Sequence, residues 1–162
     1  MVLRHSVQDR QSDTPVNPRG VSEVHLQLEP VAARWVLHEN ADARLLCRHV
    51  LETLDAVHKL GFVHRDVRED NILRTCAGFI LIDWEMAGMI DDSVFWQPAV
   101  AHVPDGVSAG TLWKPWMDLW QLGNVLQSQP VVRTSEPCTQ FTTKLLNNQM
   151  ETAEQALQEL WT

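Results

Sequence analysis

Apolar residues recur at helical spacing along two stretches of the chain. In residues 44–60 they fall on one face of a predicted amphipathic helix, at Leu46, Val50, Leu54 and Val57. Gly61 comes next, at the position where a left-handed glycine commonly ends a helix. In residues 116–126 the same spacing recurs at Leu119, Leu122 and Leu126. Both stretches are therefore predicted to be helices.

A third helix start can be identified near the end of the sequence. Thr152 and Gln155 have the spacing of a capping box, in which two side chains satisfy free backbone N–H groups. An apolar stripe follows at Ala156, Leu157, Leu160 and Trp161. Residues 80–82 are predicted to form a strand instead of a helix. They are a short apolar run that is followed by an acid, Asp83.

The composition is that of one folded domain with a flexible start. The chain has 162 residues, of which 44% are hydrophobic, and seven of them are Trp, which is enough for a core. Residues 1–23 are instead rich in Gln, Ser, Asp, Asn, Pro and Arg and show no apolar period. They are predicted to form a flexible N-terminal arm, and residues 24–162 the domain.

Charge and cysteine content exclude several classes of function. A net charge of −8 argues against nucleic-acid binding and disfavours an anionic membrane. No apolar run approaches the roughly 20 residues of a membrane span, and no signal-peptide core follows Met1. Cys47, Cys76 and Cys138 have no metal-site or disulfide spacing. An intracellular protein, cytoplasmic or nuclear, without nucleic-acid or membrane partners is therefore expected.

The candidate chemistry lies in residues 64–71, which read His-Arg-Asp-Val-Arg-Glu-Asp-Asn. An Asp can accept the proton of a hydroxyl group, and a nearby Asn offers a neutral oxygen to Mg²⁺. Asp66 and Asn71 fit these roles, and Asp83 follows Asn71 by twelve residues. The pattern H-R-D-x-x-x-x-N, followed by an Asp at this spacing, resembles the catalytic loop and metal-binding Asp of protein kinases.

The resemblance implies specific catalytic roles. Asp66 would be the catalytic base, and Arg68 would contact the transferred phosphate. Asn71 and Asp83 would be the ligands of Mg²⁺ carried by ATP. Mg²⁺ and ATP are therefore the expected cofactors, and the hydroxyl group of a Ser or Thr in a protein substrate is the expected acceptor.

Four further residues are given structural roles by the same resemblance. Trp84 replaces the Phe that usually follows the metal-binding Asp, and His64 is expected to pack beneath Trp84. Arg65 is the residue that often pairs with a phosphorylated activation loop in this family. Residues 116–126 resemble the D-x-W-S-x-G helix, in which Asp118 would be a buried acid bonded to the backbone of the catalytic loop.

The resemblance also implies a nucleotide site and a fold. Residues 26–31 resemble the hinge, so the Glu29 carbonyl and the Val31 amide would contact adenine, with Leu73 as a third cofactor-binding residue. The expected fold is α+β and mainly helical: a protein-kinase-like C-lobe over residues 40–162, with the N-lobe largely missing. Short strand pairs are expected around residues 62–63, 72–74 and 79–82.

Two elements of a complete kinase site have no counterpart in the sequence. Lys59 is the first Lys of the chain, so no Lys precedes the predicted helix to bind the α- and β-phosphates. Gly20 is the only Gly before Gly61, so no G-x-G-x-x-G loop is present. The domain is therefore expected to be partial, and weakly active or inactive alone.

Two alternative functions remain open. The chain could be a pseudokinase that binds a partner protein and transfers nothing. Alternatively, Ile82-Asp83-Trp84-Glu85-Met86-Ala87-Gly88 resembles the I-D-W-E-x-A-G segment of aminoglycoside and choline phosphotransferases, which are kinase-fold enzymes acting on small molecules. Their catalytic loop usually reads H-G-D, so Arg65 and the helix with Asp118 favour the protein-kinase interpretation.

Overall fold

A computed structural model of the protein describes residues 32–94 and 102–161. The predicted arm, residues 1–23, lies outside the described residues, as do the two expected adenine contacts of the hinge, Glu29 and Val31. The described part of the chain is α+β and mainly helical, as predicted. It contains five α-helices and two small antiparallel sheets.

Helix α1, Asn40–Lys59, runs through the centre of the core. It begins four residues earlier than predicted, and Asp42 in its first turn places negative charge near the free N–H groups. It ends as predicted: Gly61 has a φ of 86°, and its N–H donates to the His58 carbonyl at 2.9 Å. The buried face of the helix consists of Ala43, Leu46, Cys47, Val50, Leu51 and Leu54.

The remaining helices are α2, Pro115–Ser128, α3, Pro130–Arg133, α4, Glu136–Leu146, and α5, Ala153–Gln158. The first three carry Pro in the first turn, where the missing N–H has no partner to lose. The predicted capping box at α5 is confirmed. Thr152 Oγ1 accepts from the Gln155 N–H at 3.2 Å, and Gln155 Oε1 accepts from the Thr152 N–H at 3.3 Å.

The four strands are β1, Phe62–Val63, β2, Ile72–Thr75, β3, Gly78–Leu81, and β4, Gly88–Met89. Strand β1 pairs with β4, and β2 pairs with β3 in a hairpin. The first three lie where the sequence predicted strands, whereas β4 was not predicted. One more hydrogen bond joins the two ends of the hairpin next to the catalytic loop. The N–H of Ile82, the residue after β3, donates to the carbonyl of Asn71, the residue before β2, at 2.8 Å.

Two buried apolar clusters hold these elements together. The larger joins the apolar faces of α1, α2, α4 and α5 to the β2–β3 hairpin. The smaller contains Val63, Val94, Val103, Trp113 and Met117. Helix α2 contributes to both, so Asp118 lies between the two clusters. In the described residues, no helix combines the length and apolar character needed to cross a membrane.

Candidate functional site

Asp118 fixes the start of the catalytic loop, residues 64–71. Its buried carboxylate accepts from the backbone N–H groups of His64 at 2.7 Å and Arg65 at 2.9 Å. It also accepts from Trp113 Nε1 at 2.9 Å, and His58 Nε2 lies 2.9 Å away. A carboxylate with this many donors, in the first turn of helix α2, is well suited to hold a negative charge in the interior. The loop backbone is therefore attached to α2.

The buried His64 ring packs within the site and links the catalytic loop to the segment around Asp83. Its Nδ1 accepts from the Asp66 N–H at 3.2 Å, so its Nε2 carries the proton and donates to the Ile82 carbonyl at 3.1 Å. Burial lowers the pKa of His64, which keeps the ring neutral. The Trp84 ring packs against it edge to face, with 4.4 Å between ring centroids.

Asp66, Arg68 and Asn71 form the centre of the site. Asn71 is buried, and its Nδ2 donates to Asp66 Oδ2 at 2.7 Å and to the Asp66 carbonyl at 2.9 Å. Arg68 Nε lies 3.2 Å from the same Oδ2, as an ion pair that is not aligned as a hydrogen bond. The Asp66 side chain is 24% exposed. The carboxylate is therefore held in one orientation and remains accessible to a substrate.

Asp83 stands at the exit of the β2–β3 hairpin, directly after the residue that bonds to Asn71. Its side chain is exposed, and its φ of 62° lies in the left-handed region that non-glycine residues rarely adopt. Arg65, in the catalytic loop, has a φ of 72°. Such backbone strain often accompanies functional sites, since surrounding contacts must hold it in place.

The chain offers few acidic ligands for a metal at this place. Among the described residues, no group of three or more His, Cys, Asp or Glu side chains could hold a metal ion. Mg²⁺, however, commonly binds one or two protein oxygens together with waters and substrate phosphates. Since Asn71 directs its Nδ2 at Asp66, its Oδ1 is the atom left to accept or to ligate. This oxygen and the exposed Asp83 carboxylate fit that small ligand set.

Arg65 joins the catalytic loop to the segment that follows Asp83. Its Nη2 donates to the carbonyls of Met89 at 3.1 Å and Asp92 at 3.3 Å. Burial lowers the pKa of its guanidinium, although an arginine stays charged in proteins. A Cβ on Gly88 would lie closer than 3.0 Å to three atoms of this guanidinium, so the contact needs glycine. Arg65 thus connects the catalytic loop to two backbone carbonyls of the segment after Asp83.

Gln121 belongs to the site although the sequence did not single it out. Its buried side chain accepts from the Val67 N–H at 2.9 Å and donates to the Arg65 carbonyl at 3.0 Å. It also donates to the His102 carbonyl at 2.8 Å. Gln121 therefore holds the peptide groups on both sides of Asp66. Its position one turn after Asp118, within an apolar helix, was the available signal.

The last predicted site residue in the described part of the chain is Leu73. It lies half-buried on β2, opposite Ile80 of β3. The hairpin thus carries Leu73 on the same short sheet whose ends hold Asn71 and Asp83.

Comparison with known proteins identifies the family. A sequence model described as the phosphotransferase enzyme family, APH, matches residues 5–91, more than half of the chain. The chain belongs to this phosphotransferase family. The match includes the catalytic loop and Asp83, whereas helix α2 with Asp118 follows it.

Curated relatives are serine/threonine kinases by name. The phosphotransferase chain is 28% identical to a probable serine/threonine-protein kinase, PkwA, of Thermomonospora curvata, over 75% of its own length and 18% of the relative. It is 31% identical to the myotonin-protein kinase of Mus musculus over 50% of its length and 15% of that protein. The serine/threonine-protein kinase pakA of Talaromyces marneffei is 28% identical over 57% of the chain and 16% of that kinase.

The phosphotransferase chain is therefore a member of the protein kinase superfamily, and its general function is kinase-like. Its alignments span less than a fifth of the length of these relatives.

Proposed function

We propose that this chain transfers the γ-phosphoryl group of Mg-ATP to the hydroxyl group of a Ser or Thr residue in a protein. The observation that supports this most strongly is the Asp66 carboxylate, oriented by Asn71 at 2.7 Å and attached through the loop backbone to Asp118. An oriented, accessible carboxylate beside an amide oxygen is the arrangement that phosphoryl transfer needs.

In this proposal Asp66 positions the attacking hydroxyl group. The hydroxyl oxygen forms a bond to the γ-phosphorus, the bond from that phosphorus to the bridging oxygen of ADP breaks, and the hydroxyl proton passes to Asp66. Because Asn71 and Arg68 both approach Oδ2, they fix the direction in which the carboxylate can accept this proton.

Asn71 and Asp83 would hold Mg²⁺, which neutralises negative charge on the phosphates when bound. Arg68 would interact with the transferred phosphate; its side chain is 40% exposed, so it can reach beyond Asp66. In the hinge, the Glu29 carbonyl and the Val31 amide would contact adenine, with Leu73 beneath it. These assignments extend the family resemblance to the residues of this chain.

We expect turnover by the chain alone to be slow. No Lys precedes Lys59 and no glycine-rich loop is present, so the charge at the α- and β-phosphates is incompletely compensated. Loss of a single preorganised donor typically costs about 10²–10³ in rate.

Transfer of radiolabelled phosphate to Ser/Thr peptide pools tests the proposal. We expect slow labelling that requires Mg²⁺ and is lost in Asp83→Ala. Asp105→Ala, at an exposed acid outside the catalytic loop, serves as the control and should keep the wild-type rate. Metal-independent labelling, or equal rates in the two variants, would contradict the proposal.

A small-molecule hydroxyl acceptor is the second candidate. It is favoured by the family match, which describes a phosphotransferase and no protein substrate, and by the segment Ile82–Gly88. In direct competition, preferential phosphorylation of choline or an aminoglycoside over the peptides would establish this function. If no acceptor is labelled while a bound partner protein is retained by Asp83→Ala, the chain is a pseudokinase.

A further inference from the structure

A second concave site lies outside the catalytic loop. It is a cavity of about 450 Å³ between the N-terminal half of α1 and the start of α4, lined also by Trp161. None of the residues that line it belongs to the catalytic loop. The cavity is therefore distinct from the site around Asp66, and its volume is in the range of small-molecule sites.

Two arginines that line this cavity have no partner among the residues that the structure describes. Arg44 and Arg48 both line it, and in the described residues neither forms a hydrogen bond or an ion pair. Every other Lys or Arg of the described segments contacts a carboxylate or a backbone carbonyl. The two unpartnered cations of the described segments therefore face the same space.

This arrangement costs the free protein stability. Arg44 and Arg48 are four residues apart on one helix, a spacing at which like charges repel. In addition, Arg44 Nε is shielded from solvent and has no acceptor. A buried donor of this kind loses its hydration without a replacement bond. An anion in the cavity would relieve both costs.

The nearby acids do not pair with these arginines: in the described residues Glu39 and Glu52 form no ion pair with them, and two other acids are engaged elsewhere. Helices α1 and α4 begin at the cavity, and their free N–H ends add partial positive charge. Asp42, in the first turn of α1, is paired with Arg74. Glu136, in the first turn of α4, accepts from Gln140. Both carboxylates are thus engaged with other side chains.

We propose that this cavity binds a small organic anion with a phosphate or carboxylate head group and an apolar body. Two guanidinium groups can donate several charge-assisted hydrogen bonds to such a head group. Leu45 and Trp161, which also line the cavity, offer apolar surface to the rest of the ligand. The inference is independent of the phosphotransferase activity, since none of these residues belongs to the catalytic loop.

Titration of the full chain with phenyl phosphate, followed by NMR, tests the site. We expect saturable shifts of the Arg44 Nε–H and the Trp161 indole resonances. Inorganic phosphate should bind more weakly than phenyl phosphate because it lacks the apolar body. Phenylacetate should also bind more weakly, because its head group carries only one negative charge. Binding should weaken with added salt. Absence of saturable shifts would overturn the proposal.

Arg48→Gln should weaken phenyl phosphate binding by about tenfold to a hundredfold, as expected for a lost charge-assisted hydrogen bond. Arg48→Lys keeps the charge but lacks the planar guanidinium group. Its affinity for phenyl phosphate should lie between those of Arg48→Gln and the wild type. Arg34→Gln is the matched control, because Arg34 is exposed and paired with Asp70 away from the cavity. If Arg34→Gln weakened phenyl phosphate binding equally, the binding would reflect nonspecific charge attraction, and the proposal would be overturned.

Stability separates a ligand site from a structural role. Since Arg48→Gln removes both a repulsion with Arg44 and an attraction to Glu52 at the same four-residue spacing, the melting temperature of the free variant should change little. A clear loss of stability would indicate a structural role for Arg48 and count against the site. Tighter binding of a phosphotyrosine peptide than of phenyl phosphate would overturn the assignment to a small molecule.

Discussion

Asp118 accepts a hydrogen bond from the backbone N–H of His64 at 2.7 Å, although the two residues are 54 positions apart in the chain. The same carboxylate also holds Arg65, Trp113 and His58. One buried charge thus connects helix α2, the end of α1 and the catalytic loop, and the orientation of Asp66 depends on it.

Replacement of Asp118 by Ala should therefore be strongly destabilising. The change leaves several buried donors without an acceptor, and comparable losses of a buried charge partner cost about 3–5 kcal/mol. Urea denaturation of Asp118→Ala measures the loss. Asp118→Asn, which keeps one carbonyl acceptor, should lose less. Asp105→Ala, at an exposed acid, should change the free energy of unfolding by less than about 0.5 kcal/mol.

His64 should make the stability of the protein depend on pH. Burial lowers its pKa in the folded state, so the unfolded chain binds a proton more readily. Stability should consequently fall as the pH decreases below the unfolded value of about 6.5, with a slope of at most about 1.4 kcal/mol per pH unit. Urea denaturation between pH 8 and 5 measures this slope.

His64→Gln removes the titrating group and should reduce the slope. The exposed His38 provides the control, because His38→Gln should leave the slope close to that of the wild type. An unchanged slope in His64→Gln would show that His64 does not bind its proton differently in the two states.

Gln121 should act on catalysis through the backbone around Asp66. In Gln121→Met the bonds to Val67, Arg65 and His102 are lost, so we expect amide exchange at Val67 to accelerate by about tenfold. The Asn71 side-chain amide resonances should also shift, because Asn71 bonds to Asp66.

A matched variant separates this effect from general destabilisation. Thr142 is also buried, and its hydroxyl donates to the Cys138 carbonyl in α4, away from the loop. Thr142→Val should lower stability without shifting the Asn71 resonances. Identical spectra around Asn71 in Gln121→Met and the wild type would contradict a positioning role for Gln121.

Gly88 should be needed for the position of Arg65. An added methyl group would overlap the guanidinium, and because this end of the side chain can shift, the cost should lie near the lower end of the about 1–3 kcal/mol typical of overpacking. Arg65→Lys replaces the guanidinium by a narrower group and should accommodate the methyl group. In a double-mutant cycle followed by urea denaturation, the two changes should therefore cost less together than the sum of the single variants. Additive costs would show that the two residues do not interact.

Three of the five described helices, α1, α2 and α5, could be predicted because their signals are local, as could three of the four strands and the capping box; α3 and α4 were not predicted. Leu46, Val50 and Leu54 mark a buried face by spacing alone, and Thr152 with Gln155 marks a helix start. Strand β4 could not be predicted, since a two-residue strand containing Gly88 has neither alternation nor β-branched residues.

Only the site residues that belong to a known motif could be predicted from the sequence. The resemblance named Asp66, Asn71 and Asp83 but assigned nothing to Gln121. That side chain acts through contacts with residues 54 and 56 positions away, and such pairing is decided by packing of α2 against the loop. Arg44 and Arg48 were missed for a related reason, since the lack of an acidic partner is visible only in three dimensions.

Asp66 is proposed to serve as the base of a phosphotransferase, and a comparison of Asp66→Asn with Asp70→Asn tests this role. Both substitutions remove one negative charge from the same loop, but Asp70 is exposed and paired with Arg34. With radiolabelled Mg-ATP and peptide acceptors, Asp66→Asn should reduce transfer by about 10²–10⁴-fold, whereas Asp70→Asn should match the wild type. Equal transfer by Asp66→Asn and the wild type would contradict the claim.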